Sequence, residues 1–269
     1  KTRSLGARGN PYDTAIVNTC GFINDAKEES INNILHLISA KENGNLMKII
    51  VFGCLAERYM QELSSELPEV DIMLGNYNAG KLLEAVSGSG LDKSNQQTYN
   101  RIFESSGHYA YLKIAEGCNR TCAFCAIPLF KGKYVSRSIE DIYNEAVFLA
   151  DKGVREFILI AQDLSFYGYD IYKTFKLSEL VEKLSHISGI EWIRLHYLYP
   201  YLFPENLIDV IADNPKICRY IDIPVQHISD KVLSKMKRGG TKKQILDLLD
   251  KFRSEIPDVA IRTTLLIGH

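Results

Sequence analysis

"YAYLKIAEGCNRTCAFC", Tyr109 to Cys125, decides how this chain is read. Its first half has the apolar alternation of a strand. Its second half places three thiols, Cys118, Cys122 and Cys125, in a loop directly after that strand. A structural zinc site wants a fourth ligand and usually builds from paired Cys-x-x-Cys knuckles, whereas this stretch has one knuckle and an extra cysteine. Three thiolates on one loop can instead hold three irons of a cubane cluster and leave the fourth iron open to another ligand. A zinc loop completed by His108 or by a partner, and three ordinary buried thiols, are the competing readings.

Downstream of the loop, a helix is expected from Ser138 to Lys152. Ile139, Ile142, Tyr143, Ala146, Val147 and Ala150 form its apolar stripe, Ser138 with Asp141 suggests a capping box, and Gly153 fits the stop. Further strands are expected at "EFILIAQ", "WIRLHYL", "YIDIPV" and "AIRTTLLIG", with helices near 177–187, 204–213, 229–237 and 241–254. Five strand-helix alternations in one direction suggest a complete or partial barrel whose chemistry sits at the carboxyl ends of the strands.

Upstream, "TAIVNT" (Thr14 to Thr19) precedes a helix from Asn24 to Asn43 with Ile31, Ile34, Leu35 and Ile38 on one face. "KIIVFG" (Lys48 to Gly53) follows, then a helix around Glu57 to Leu67 and "VDIMLG". This alternation argues for a parallel sheet. Between the halves, "SGSGLDKSNQQTYN" suits an exposed connection. Cys20 and Cys54 each come just after an apolar strand; if those strands are parallel neighbours about 5 Å apart, both thiols share one edge and can share a metal. Two buried core thiols is the plainer alternative.

With 269 residues and 46% hydrophobic composition the chain can fill two cores, and a net charge of -1 gives no bulk attraction to nucleic acid. No apolar run approaches the roughly 18 residues of a membrane span, and no signal peptide opens the chain, so a cytoplasmic protein with reduced thiols and no membrane partner is expected. The chain starts at Lys1 and stops at Gly268-His269 straight after "TTLLI", which reads as part of a longer protein.

Cys-x-x-x-Cys-x-x-Cys after the first strand resembles the radical S-adenosylmethionine superfamily. With "NTCGFINDAKEESI" and "GCLAERY" added, the chain is similar to the methylthiotransferases within it. The resemblance implies a 4Fe-4S cluster on Cys118, Cys122 and Cys125 whose open iron chelates S-adenosylmethionine, and Phe124 matches the aromatic usual before the last cysteine. It also implies a second, auxiliary 4Fe-4S cluster on three cysteines. Cys20 and Cys54 would be two of them; the third belongs to a Leu-Gly-Cys motif upstream of the equivalent of Thr14. The nearest text, "SLGARGN", has Ala7 after Leu5-Gly6 and lies too close to the strand to be that motif, so the third ligand is expected to be missing from this chain. The implied architecture is α/β: a Rossmann-like N-terminal methylthiotransferase domain over 1–90, a linker over 91–107, and a radical SAM partial TIM-type (β/α) barrel over 108–269.

"AQDLSFYG", "WIRLHYLYP" and "YIDIPVQHISDKVLSKMKR" look like the branch that modifies a ribosomal protein. The sister branch, acting on transfer RNA, tends to have Gln-Asn where this chain has Gln162-Asp163, and Ser-Gly where it has His227-Ile228. The implied reaction converts the beta C-H of one aspartate of the small-subunit ribosomal protein S-twelve into C-SCH3. It uses two molecules of S-adenosylmethionine, one for the methyl group and one for the radical, with an electron donor such as a flavodoxin or ferredoxin. A transfer-RNA methylthiotransferase, or a zinc-stabilised binding module without enzymatic activity, are the alternatives.

Other residues carry weaker signals. Gln162 and Asp163 end a strand where radical enzymes of this kind contact the amino group of the bound molecule; a polar strand cap is the bland reading. Arg194 could pair with a carboxylate bidentately or form a structural salt bridge. His196 and His227 lie near strand ends, where hydrogen-bonded structural histidines are common, and Cys218 reads as a buried thiol. Lys131, Lys133 and Arg137, and Lys231, Lys235, Lys237, Arg238, Lys242 and Lys243, are either solvated faces or a surface near ribosomal RNA. Pro128 and Gly132 shape the cysteine loop through fixed and permissive backbone angles.

Overall fold

A computed structural model of the chain describes residues 13–75, 79–87 and 107–269, which divide into two compact units. "SLGARGN" and residues 91–106 of the expected linker lie outside the described residues.

The first unit contains β1 (Thr14–Thr19), α1 (Asn24–Glu42), β2 (Lys48–Gly53), α2 (Cys54–Arg58), α3 (Met60–Glu66), β3 (Ile72–Met73) and α4 (Ala79–Ser87). Its sheet is parallel in the order β1-β2-β3. Ile49, Ile50 and Val51 of the central β2 are fully buried, as expected for an apolar run covered on both faces. In α1 the packed face differs from the expected one: Ile34, Leu37 and Ile38 are buried, while Ile31 and Leu35 are exposed. The helix expected at Glu57 begins instead at Cys54 and is broken at Tyr59, whose φ of -127° leaves the helical region.

The second unit is built from β4 (Tyr109–Lys113), β5 (Ala115–Glu116), α5 (Ile127–Lys131, shared at its end with the first unit), β6 (Val135–Ser136), α6 (Ile139–Asp151), β7 (Glu156–Ile160), α7 (Tyr169–Tyr172), α8 (Leu177–Ser185), β8 (Trp192–Leu195), α9 (Asn206–Asp213), β9 (Tyr220–Asp222), α10 (Asp230–Lys235), α11 (Lys242–Glu255) and β10 (Ala260–Arg262). β4, β7 and β8 pair in parallel, as do β9 and β10. Between these sheets the link is a parallel bridge from Ile193 to Ile217 and a bond from the Leu198 N–H to the Asp222 carbonyl. Five strands therefore run one way around a core that includes Leu112, Phe157, Leu159, Ile193 and Ile221. This is an open, partial barrel.

The strands are shorter than their apolar runs. β8 stops at Leu195 because Tyr197 turns to a φ of 65°, and β7 stops at Ile160, so "AQD" leaves the sheet as a loop. At α6 the Ser138 hydroxyl accepts the Asp141 N–H, but the Asp141 carboxylate turns to Arg137 at 2.6 Å, so the expected reciprocal box is half formed. A complete capping box stands instead at α11, between Thr241 and Gln244.

Candidate metal and cofactor site

The cysteine loop leaves β5 at Gly117, whose φ is 82°. A Cβ there would lie 2.1 Å from the Lys133 carbonyl oxygen, so only glycine lets the two ends of the loop meet this closely. β5 and β6 close antiparallel across that approach, Cys118 donates its N–H to the Gly132 carbonyl at 3.2 Å, and Asn119 Oδ1 accepts the Tyr134 N–H at 3.0 Å. Farther along, Cys125 donates to the Cys122 carbonyl at 3.1 Å and Ala123 to the Met236 carbonyl at 2.9 Å. Cys118 and Cys122 are buried, and Cys125 is half-buried.

Burial pushes the Cys118 thiol up to about 11, against one N–H from Arg120 and with added repulsion from Asp163, Cys122 and Cys125. Burial raises Cys125 in the same way. A metal must therefore displace protons to bind. Among the described residues no three His, Cys, Asp or Glu side chains converge on a single ion. His108, just before β4, sits at the amino end of that strand and the cysteines follow its carboxyl end, which argues against a zinc ion completed by His108. Three thiols on one loop are the donor set of a group that gives each its own iron.

Tyr199 lies beside the thiols, its hydroxyl 3.7 Å from Cys122 Sγ. Two guanidinium groups lie over its ring, Arg120 at 4.0 Å and Arg238 at 4.2 Å. Arg120 donates to Asp163 Oδ2 at 2.8 Å, and Arg238 reaches Cys122 Sγ at 3.5 Å. Asp163 is 2% exposed; burial raises its carboxyl pKa, and Arg120 opposes this. Its other oxygen, Oδ1, has no partner among the described residues. Gln162 donates to Glu116 at 3.1 Å, and its own Oε1 is likewise buried and unpartnered. Both residues stand in the loop that follows β7, and a buried acceptor without a partner asks for a donor from a bound molecule.

In the first unit, β1 and β2 end in register at Thr19 and Gly53, so Cys20 and Cys54 each stand one residue past the paired ladder. Cys20 is exposed and Cys54 half-buried. The Cys20 N–H is held by the Ser30 hydroxyl at 3.0 Å, and Gly21 packs so closely on the Cys54 carbonyl that a Cβ would come within 2.9 Å of it.

Residues 112–269 match the radical SAM superfamily. The chain belongs to the radical SAM superfamily. Residues 5–75 match a second family, described as uncharacterized protein family UPF0004. Among curated radical SAM relatives, the ribosomal protein uS12 methylthiotransferases RimO of Bacteroides fragilis and Phocaeicola vulgatus are 49% and 48% identical over 257 residues, and that of Flavobacterium psychrophilum is 50% identical over 254. These alignments cover 94–96% of this chain but only 58–59% of each relative, so the chain spans well under two thirds of their length. Among solved structures, the radical S-adenosylmethionine methyltransferase TsrM of Kitasatospora setae, with cobalamin and a 4Fe-4S cluster bound, superposes with a TM-score of 0.69 at 13% identity, covering 95% of this chain and 58% of that one. The cobalamin-dependent radical enzyme OxsB gives 0.64 at 13% identity, covering 95% and 41%. Both show the fold alone.

Set on this radical SAM fold, the sequence candidates separate. Cys118, Cys122, Asp163 and Gln162 gather at one end of the partial barrel. Phe124 is 39% exposed, with the His269 ring 6.2 Å away. Arg194 faces other partners: it donates to Glu156 at 2.8 Å, at the start of β7, and lies over the Tyr220 ring, which is the salt-bridge alternative. His227 Nδ1 accepts the Ser229 N–H at 2.9 Å and so ties its own loop. His196 is half-buried, and burial lowers its pKa. Cys218 is half-buried, with its N–H bonded to Ile193.

Two basic residues expected on a surface are not there. Arg137 binds Asp141 and Glu145, and Arg238 is 7% exposed against the thiols, while Lys231, Lys235, Lys237, Lys242 and Lys243 stay exposed. Arg120, Tyr134, Tyr199 and Arg238 were missed as site residues. The sequence offered one clue, the Gly239-Gly240 pair beside Arg238.

Proposed function

We propose that this chain is the greater part of a ribosomal protein S-twelve methylthiotransferase, with Cys118, Cys122 and Cys125 holding a 4Fe-4S cluster and Gln162 and Asp163 facing S-adenosylmethionine. One observation carries the reading: a clipped three-thiol loop at the carboxyl end of the first barrel strand, in a chain about half identical to curated uS12 methylthiotransferases. The residues fit the group they would hold. The donors are thiols, and the two buried acceptors Asp163 Oδ1 and Gln162 Oε1 lack partners, as an ammonium group requires.

When bound, the cluster and S-adenosylmethionine supply one-electron chemistry able to reach an unactivated C-H, which acid-base groups cannot. The chain's residues bind and orient. Arg120 holds the Asp163 carboxylate in place, Glu116 holds the Gln162 amide, and Tyr134 donates to the Asp163 carbonyl at 2.9 Å. Phe124 offers an exposed ring beside the last cysteine as an apolar wall. Cys20 and Cys54 would hold two corners of an auxiliary cluster in an N-terminal domain over 1–90, ahead of a radical SAM domain over 108–269. A cytoplasmic setting, a flavodoxin or ferredoxin donor, and ribosomal RNA near the exposed lysines around α10 and α11 complete the reading. No described helix is long and apolar enough to cross a membrane.

The test incubates the full-length enzyme, S-adenosylmethionine and a reductant with S-twelve and, separately, with transfer RNA, followed by mass spectrometry. One methylthio group in place of hydrogen on an aspartate of S-twelve is expected. Modified transfer RNA with untouched S-twelve would move the chain to the sister branch. Zinc in place of iron on the triad would reduce it to a binding module.

A further inference from the structure

The turn "KMKRGG" drives an arginine into the thiol site. α10 ends at Lys235, Lys237 takes a φ of 53°, the Arg238 N–H returns to the Leu233 carbonyl at 3.1 Å, and Gly239 and Gly240 both take a φ of 70°. The absent Gly239 side chain leaves room for the Tyr201 ring, which a Cβ would meet at 2.8 Å. The same turn offers the Met236 carbonyl to Ala123, binding it to the cysteine loop.

Arg238 is 93% buried by this turn, its exposure being 7%. One terminal nitrogen donates to the Pro224 carbonyl, the other reaches Cys122 Sγ at 3.5 Å, and Nε has no partner. The Tyr199 hydroxyl donates to the Arg238 carbonyl and stands 3.7 Å from the same sulfur. Arg120 has Asp163 as counter-ion, whereas Arg238 is within electrostatic reach of that carboxylate but, among the described residues, forms no ion pair with one. A buried guanidinium without an anion is costly, and such groups are kept where an anion arrives. The sulfur nearest to hand is that of Cys122, which becomes an anion when it gives up its proton to bind a metal.

We infer that Arg238 is a positioning residue for Cys122 and an electrostatic support for the reduced state of the cluster, through its N–H bond to Cys122 Sγ and its unpaired charge. This rests on the cluster reading above. Hydrogen bonds to ligating sulfur and nearby charge set the potential of such centres, and a buried cation favours the state with one more electron. Removing it makes the bound cluster harder to reduce.

The experiment reconstitutes full-length wild type, Arg238→Met, Arg238→Lys and the Cys118→Ala/Cys122→Ala/Cys125→Ala triple variant anaerobically, measures iron and sulfide, and follows reduction by electron paramagnetic resonance against a set of poised potentials. At equal iron content, Arg238→Met is expected to show about a tenfold lower reduced-to-oxidised ratio at a given poise, equal to about 59 mV for one electron. Arg238→Lys, which keeps the charge but not the planar fork, is expected to fall between. Equal ratios in wild type and Arg238→Met at equal iron overturn the inference. Should the methionine variant fail to load, Arg238→Gln, which also removes the charge, takes its place, and a wild-type ratio there overturns the inference equally. A triple variant that loses none of the wild-type iron overturns the cluster reading itself; the loss expected is the triad's share alone, and it is seen before any variant is titrated.

Discussion

Replacing Gly117 by alanine is the sharpest test of how the cysteine loop is held, because the fault can be placed at one atom. The new Cβ would sit 2.1 Å from the Lys133 carbonyl oxygen, where real Cβ atoms essentially never come under 3.0 Å, and the backbone φ of 82° would be strained as well. The left-handed backbone costs about 1–2 kcal/mol and the forced separation about 1–3 kcal/mol. Together that is roughly 3 kcal/mol against the closed loop, or about a hundredfold in population. Cys118 follows directly and bonds across the same approach to Gly132, so the loop would open at its first thiol. Gly132→Ala is the matched control: its φ is 71°, but nothing lies within 4 Å of the added carbon. With a ψ of -160° that backbone is one essentially reserved for glycine, so the change should cost about 1–3 kcal/mol of stability, read as a lower melting midpoint, and retain iron. Anaerobic reconstitution followed by iron analysis should then find about four irons per cluster in Gly132→Ala and a marked deficit in Gly117→Ala. Full loading of Gly117→Ala, or equal loss in both, would refute the argument that close approach shapes the site.

Three further outcomes are expected. Asp163→Ala leaves the largely buried Arg120 guanidinium without its counter-ion and should destabilise the second unit by about 3–5 kcal/mol, read as a lower thermal midpoint; an unmoved midpoint would mean the pair contributes nothing. Burial raises the Asp71 pKa, but the bonds from Lys41 at 2.6 Å and the Ile49 N–H at 2.7 Å lower it further, so the folded value is depressed. Its stabilisation is therefore complete above the unfolded carboxylate pKa of about 3.9 and is lost as pH falls through the lower folded value. Denaturant melts of wild type and Asp71→Asn should converge in acid, and a gap that widens there would contradict the sign. Thr241→Ala removes one bond of a two-bond capping box and should cost about 1 kcal/mol in a chemical denaturation series. Ser138→Ala, at a one-bond cap, should cost no more than that.

What could be read from the sequence divides by the range of the forces involved. β2 was legible because "IIVF" is one apolar run that only a doubly covered strand can bury, and the barrel strands because each is bounded by turn residues. The packed face of α1 was misread by a fraction of a turn. Ile31 and Leu35 satisfy helical spacing, but the neighbouring sheet takes Leu37 in their place, and a period does not say where the core lies. The thiols were legible through local spacing alone. Arg120 and Arg238 were not, since in one dimension a buried guanidinium and a solvated one look alike. Cys122 meets Tyr199 at a separation of 77 residues and Arg238 at 116, contacts that exist only once the strands have closed. Three thiols on a free loop would lose much of their binding energy to ordering the backbone between them. The glycine approach at Gly117, the β5–β6 clip and the bond from Ala123 to Met236 place that ordering in the folding of the barrel, before any metal arrives. The distant Arg238 then does for charge what those contacts do for shape, so the site belongs to the closed sheet as much as to the motif within it.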